Sequence, residues 1–325
     1  MRTLQAILDT ELLGTATGLW LGFFLLVSGL LAFDLGVLHR QRREIGIAES
    51  LWLSAGYISV ALMFGVWVWS QMGADRALEF YTGFLIEKSL SLDNIFLMAA
   101  IFGFLGIPRC YQHQVLFWGI LGVIVLRALM IGLGAALIHS FAWILQLFGL
   151  FLLGTGVRML RSSPDDAPDL ARNAVQRFLR QRLRVTDELH GAHFFVHLPD
   201  ANGQPQRQAT PLLLALVMIE LTDLLFAVDS IPAIFAITQD TFIVYTSNIF
   251  AVLGLRALYF ALAAMLHRFV YLKYALALVL VFIGAKIFLA GILGPIPAAL
   301  SLGVTFALLA GGVLYSLYRT RQRPG

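Results

Sequence analysis

Long unbroken apolar runs separated by short polar connections set the pattern of the chain. They fall at 17–38, 51–71, 79–106, 114–137, 141–160, 211–237, 243–266, 274–292 and 297–318. Each is close to the ~20 residues with which a helix crosses the hydrocarbon core of a bilayer, so nine spanning helices are expected. A transmembrane barrel is excluded, because its strands would alternate apolar and polar positions and these runs are continuous.

Composition agrees. Of 325 residues, 59% are hydrophobic and 13% charged, whereas soluble domains run nearer a quarter charged. So much apolar surface cannot be hidden within one soluble globule of this size, and the solvent has to be lipid. The one cysteine, Cys110, has no partner within the chain for a disulfide.

The net charge of +4 does not point to nucleic acid, because the basic residues collect in alternate connections. Sixteen Lys and Arg lie in one set of connections, from Arg40 through Arg109, the 161–207 stretch, Arg268 and Lys273 to the tail with Arg319, Arg321 and Arg323. The opposite set holds Arg2 and Arg76. Since cytoplasmic connections carry the excess of positive charge, the expected topology has the amino terminus outside and the carboxyl terminus in the cytoplasm. The expected location is a plasma membrane of the bacterial inner type. No basic segment followed by a small-residue cleavage site marks the start, so a removed signal peptide is not expected.

The expected organisation is therefore spans 1–5 over 1–160, a cytoplasmic arginine-rich loop or small subdomain over 161–210, spans 6–9 over 211–318 and a tail over 319–325. Within the loop, Leu170, Ala174, Phe178, Leu179 and Leu183 recur at helical spacing with arginines between them, the pattern of a helix lying on a membrane or on the bundle. The stretch from His193 to Pro211 predicts a small hairpin. Nothing in the spacing of His190, His193 and His197 fixes a metal geometry, and they read as exposed loop residues. The loop also offers a docking surface for a cytoplasmic partner.

Away from the span ends lie ten charged groups: Asp34, Glu87, Asp93, Glu220, Asp223 and Asp229 with Lys88, Arg127, Arg256 and Lys286. Facing lipid unpaired, they would together cost on the order of 25 kcal/mol. They must face the bundle interior, paired or wet. Four bases against six acids leave a surplus of two negative charges, which suits one divalent cation or two protons. The alternative is that the acids merely pair with the bases to fix helix packing.

The acids follow a repeat. Glu87 and Asp93 in the third span match Asp223 and Asp229 in the sixth, each second Asp being followed by a small polar residue, Asn94 or Ser230, and then Ile. Downstream, Leu126-Arg127-Ala128-Leu129 recurs as Leu255-Arg256-Ala257-Leu258. With the expected topology, spans 3–5 and 6–8 run in opposite directions. The expected fold is thus an all-α, polytopic membrane helix bundle with two inverted three-helix repeats, a plan that many secondary transporters use with the binding site at its midplane. Six residues turn an ideal helix by about 600°, so the paired acids do not share a face. Either the helices unwind at Ser91, Asn94, Ser230 and Pro232, or the acids look into different parts of one cavity. Glu220 and Asp223, three apart, do share a face.

No Cys or His lies deep in a span. Carboxylate, amide oxygen and water suit Mg²⁺, Ca²⁺ and Mn²⁺ rather than soft metals. Met98 and Met218 lie near the acids, where packing is the simpler role.

The segments Phe33-Asp34-Leu35-Gly36, Glu87 through Asn94, Thr210-Pro211-Leu212 leading to Ile219-Glu220, and Asp223 through Ala233 resemble those of the TerC/Alx family of integral membrane proteins. That family is associated with tellurium resistance, and its better-understood bacterial members export manganese, some in response to alkaline pH. The resemblance implies Mn²⁺ as transported substrate, with no cofactor, and places functional acids at Glu87, Asp93, Glu220, Asp223 and Asp229. Asn94 and Ser230 would be neutral oxygen ligands, with Asp34, Lys88, Arg127, Arg256 and Lys286 as accessory residues.

The reading is a secondary transporter that exports divalent cations, Mn²⁺ first, in exchange for protons. Its partners are the metal ion, protons and the bilayer, with no nucleic acid. Ca²⁺ or another divalent cation is one alternative, and a membrane scaffold in a metal or tellurium stress response is another. Tellurite itself, an anion, would meet a net negative cavity. No nucleophile with a base, nucleotide loop or redox motif suggests an enzyme.

Overall fold

The computed structural model describes residues 11–12, 15–38, 46–141, 143–161, 178–180, 182–199, 205–263, 272–293 and 297–321. The protein is an all-α membrane helix bundle. Its helices are α1 (Thr17–Leu38), α2 (Ile47–Met72), α3 (Ala74–Phe104), α4 (Arg109–Ser140) and α5 (Ile144–Arg161), then α6 (Pro211–Phe235), α7 (Thr241–Leu253), α8 (Leu255–Ala263), α9 (Leu272–Leu293) and α10 (Ala298–Arg321). Each apolar run is helical over most of its described residues. Among the described residues six stretches are by length and composition able to cross a membrane: Ile47–Met72, Arg109–Ile138, Ile144–Arg161, Pro211–Phe235, Thr241–Leu262 and Ala299–Arg319.

Helix ends follow local chemistry. Pro211 opens α6 directly after Thr210, where its missing N–H would have had no helical partner. Asp240 caps α7, its carboxylate accepting from the N–H groups of Phe242 at 3.0 Å and Ile243 at 3.3 Å. Gly73, at φ 90°, makes the joint between α2 and α3, a backbone conformation that favours a residue without Cβ.

Two findings refine the sequence reading. The 243–266 run is not one helix: it is interrupted at Gly254, which separates α7 from α8. And α3 and α6 run unbroken through Ser91, Asn94, Ser230 and Pro232, so the helices do not unwind there.

The bundle is built around α7, whose residues from Phe242 to Leu253 are all buried. An aromatic cluster surrounds one part of it, with Phe64 and Phe250 at 4.7 Å between ring centroids and Trp20 edge-on to Phe242 at 5.1 Å. By contrast Leu25, Trp52 and Leu225 are 79%, 80% and 72% exposed, as expected of side chains facing lipid rather than water. Helices α5 and α9 meet backbone to backbone: a Cβ added at Gly156 would lie 2.8 Å from the Ala277 carbonyl oxygen, and one at Gly284 2.8 Å from that of Gly149. Small residues at such crossings are what let membrane helices approach.

The hairpin predicted in the loop is present as antiparallel strands Phe195–Pro199 (β1) and Pro205–Ala209 (β2), leaving aside the short pair Glu11–Leu12 and Thr15–Ala16 near the start. Leu179, Val185, Leu189 and Phe194 pack against the core cluster that includes Ile107, Leu116 and Leu212. Gln114 of α4 donates to the Ala192 carbonyl at 2.9 Å. Most of the surface helix expected over 170–185 lies outside the described residues. His193 and His197 are exposed and His190 is half-buried.

Candidate functional site

Arg127 of α4 organises the centre. Its Nε donates to Asp223 Oδ2 at 3.1 Å and its Nη2 to Asp223 Oδ1 at 3.0 Å, while Nη1 donates to Glu87 Oε1 and to Asn248 Oδ1. Asn248 of α7 in turn donates through Nδ2 to Glu87 Oε2 at 3.3 Å. Arginine, both carboxylates and Asn248 are all buried. Four helices, α3, α4, α6 and α7, thus meet in one polar knot, and the acids that match in the sequence repeat, Glu87 and Asp223, are held by one cation. Two carboxylates against one guanidinium leave this knot with a net negative charge.

Asn94, two turns along α3 from Glu87, donates through Nδ2 to Asp223 Oδ1 at 3.0 Å. Only the amide nitrogen can donate, so Asn94 Oδ1 is turned away from the carboxylate, and it is buried without a hydrogen-bond partner. Ser230 Oγ and Ser91 Oγ are likewise buried and unpartnered. Asn94 and Ser230 line a cavity of about 60 Å³ together with Glu87, and α5 contributes Thr155 and Met159. That is room for a cation with a few waters.

Glu220 stands apart from the knot. Both carboxylate oxygens are buried without a hydrogen-bond partner, lodged against α4 so that a Cβ at Gly122 would lie 2.5–2.7 Å from the carboxylate. Glu220 and Asp223 both turn toward α4, as their spacing requires.

The remaining candidates disperse. Lys88 donates to the Ala251 carbonyl at 3.1 Å, beside the α7–α8 interruption. Arg256 is buried with its guanidinium 5.8 Å from the Phe117 ring centroid, and Lys286 of α9 interacts electrostatically with Glu79. Asp93 and Asp229 are on α3 and α6, immediately before Asn94 and Ser230, and their side chains, like that of Asp34 on α1, lie outside the described residues. Among the described residues no three His, Cys, Asp or Glu side chains form a metal-binding group. Met98 and Met218 are core packing residues.

Sequence reasoning missed Asn248, Thr155 and Met159. An amide within an apolar run, as in Thr246-Ser247-Asn248, is the signal that would have found the first.

The comparisons with known proteins bear on the same residues. The model of the integral membrane protein TerC family matches residues 72–324. The chain belongs to this family. An uncharacterized membrane protein of Myxococcus xanthus is 47% identical over 308 residues, covering 94% of each chain. An uncharacterized membrane protein of Rickettsia bellii is 46% identical over 300 residues, 92% of this chain and 97% of its own. A protein of Escherichia coli named "Putative membrane-bound redox modulator Alx" is 45% identical over 300 residues, 90% of this chain and 91% of its own. No solved structure matches. The TerC match contains the knot and all the cavity residues named above.

Proposed function

We propose that this TerC-family protein is a secondary transporter that exports divalent metal cations from the cytoplasm, Mn²⁺ first, in exchange for protons. The observation that carries the reading is the cavity beside the Glu87–Arg127–Asp223 knot. It joins a net negative charge to the buried, unpartnered oxygens of Asn94 and Ser230. An unsatisfied buried acceptor is costly, and a cation satisfies several at once. A transport site must also release its ion, and neutral oxygens around few charges favour release over permanent binding. Carboxylates have to lose their protons to hold a metal, which couples the two by mass action. Asp93 and Asp229, each next to a cavity residue, are proposed to complete the ligand set.

The proposed orientation keeps the amino terminus outside and the 161–210 loop in the cytoplasm, following the distribution of basic residues. The redox wording of the Escherichia coli relative is not carried over, since Cys110 is this chain's one cysteine and two thiols are needed to exchange a disulfide within one chain.

The test is reconstitution of the purified protein in sealed vesicles with Mn²⁺, Ca²⁺, Zn²⁺ and proton fluxes measured side by side. Mn²⁺ movement with opposite proton movement, lost in Asp93→Asn and in Asp229→Asn while both variants still insert, is the expected result. Parental flux in both variants would remove these residues from the site. No divalent flux at all would leave the membrane scaffold as the better account.

A further inference from the structure

The cavity beside the knot has one wall that its neighbours on α3 and α6 do not supply. Helix α5 brings Thr155 and Met159 to it, four residues and so about one helical turn apart on one face. Of the lining residues, those that carry possible ligand atoms are Glu87, Asn94, Ser230, Thr155 and Met159, which offer a carboxylate, neutral oxygens and a thioether. The rest of the lining is apolar, from Leu90, Phe226 and Leu280.

This donor set discriminates among hard cations. Ca²⁺ takes about six to eight oxygen ligands, and Mg²⁺ gives up its waters reluctantly and keeps several of them. A small space with few oxygens and three hydrocarbon side chains serves neither. A thioether is a poor ligand for both, while its polarizable sulfur is acceptable to borderline and soft divalent ions. Resting on the proposed transport reading, we infer that Met159 is a specificity-determining residue of this site, admitting Mn²⁺-like and softer divalent cations and disfavouring Ca²⁺ and Mg²⁺. The same site then accepts Cd²⁺, the ion that a sulfur ligand favours most relative to its size match with Ca²⁺.

The experiment uses the full-length protein in sealed vesicles and reads ratios rather than rates. Mn²⁺ flux is measured against increasing Ca²⁺, Mg²⁺ or Cd²⁺ for the parent, for Met159→Leu, which keeps an apolar side chain of similar volume, and for Met159→Cys, which keeps a sulfur on a shorter stem. In the parent, Cd²⁺ competes strongly and Ca²⁺ weakly. In Met159→Leu the Cd²⁺ concentration for half-inhibition rises about tenfold and Ca²⁺ becomes the better competitor, whereas Met159→Cys retains or strengthens competition by Cd²⁺. A packing role would not be restored by the smaller cysteine. Competition ratios unmoved in Met159→Leu overturn the inference while leaving the transport reading intact. If Met159→Leu does not insert, Met159→Ala takes its place, and competition ratios equal to the parent's in that variant overturn the inference. A parent that moves no divalent cation overturns both together.

Discussion

Arg127 takes Asp223 through two parallel hydrogen bonds, from Nε at 3.1 Å and Nη2 at 3.0 Å, and so has Nη1 left for the opposite side of the bundle. A planar guanidinium is the side chain that can do this, because its donors diverge in a fixed fork. One fork prong on α6 and another on α3 and α7 make Arg127 a rigid spacer between the helices that bound the cavity. Two of the six membrane acids are therefore held by a base, and the packing role weighed for all the acids applies to part of Glu87 and Asp223.

Removing that spacer strands two buried carboxylates. Arg127→Met is expected to destabilise the folded bundle by about 3–5 kcal/mol, the range for breaking a buried ion pair from one side. Arg127→Lys, which keeps the charge and loses the fork, should recover only part of it. Thermal unfolding in detergent, followed by loss of the monodisperse species, measures this. A triple variant that also carries Glu87→Gln and Asp223→Asn should be more stable than Arg127→Met alone.

Gly119 and Gly122 offer a controlled pair. A Cβ at Gly122 meets the Glu220 carboxylate, whereas one at Gly119 sits 3.6 Å from it in ordinary contact. The obstructing group is the end of a flexible side chain, so Gly122→Ala should alter stability by no more than about 1 kcal/mol while displacing Glu220. Altered Mn²⁺ flux in Gly122→Ala, with near-parental flux in Gly119→Ala, is the expected outcome. Equal behaviour of the two would mean that the position of Glu220 does not bear on transport.

The helices were legible because lipid imposes length and continuous apolarity together, leaving little for tertiary context to override. The division at Gly254 was not, since a glycine within an apolar run reads the same whether or not the helix continues. For the site, the acids and bases stood out one by one against their surroundings. Which base would take which acid did not, because Arg127 and Asp223 are 96 residues apart and the choice rests on how two helices are rotated about their axes. Met159 was invisible for a related reason: a methionine in an apolar run is ordinary until the cavity beside it is seen.

At the α5–α9 crossing the obstruction is backbone, which cannot swing away. Gly284→Ala would bring a methyl to 2.8 Å from the Gly149 carbonyl oxygen and force the helices apart. A loss of about 1–3 kcal/mol is expected, as for other overpacked interiors, again read from thermal unfolding. Gly303→Ala, where nothing lies within 4 Å of the added Cβ, is the matched control and should be neutral.

Proton coupling has a definite sign. Metal binds the deprotonated carboxylates, so raising the pH increases the fraction of sites able to hold Mn²⁺ and strengthens its apparent affinity from the cytoplasmic side. An inward proton gradient speeds release by protonating the emptied acids. Glu220→Gln removes one proton acceptor and should flatten the profile of initial Mn²⁺ flux measured from about pH 6 to about pH 9. A parental profile that is flat across that range, with no accompanying proton movement, would exclude antiport.

Lys88 makes the opposite case to Arg127, although both are cations inside the bundle, Arg127 buried and Lys88 half-buried. Its one hydrogen bond among the described residues goes to the Ala251 carbonyl, and no carboxylate there is within ion-pair distance. A Cβ at Gly254 would lie 2.7 Å from the ammonium, so the glycine leaves the room that the ammonium occupies. A buried ammonium that rests on one carbonyl pays much of its desolvation uncompensated, and the carbonyl at the end of α7 is a favourable but modest partner. Replacing it with an apolar side chain of similar length removes that penalty and strands no second charge among the described residues. Lys88→Met should therefore leave thermal stability unchanged or raised, where Arg127→Met lowers it. Because the ammonium also lies against the interruption between α7 and α8, the same variant is expected to transport more slowly. A loss of stability in Lys88→Met as large as that in Arg127→Met would show that Lys88 is balanced by a negative charge, and that the two basic residues share one electrostatic network.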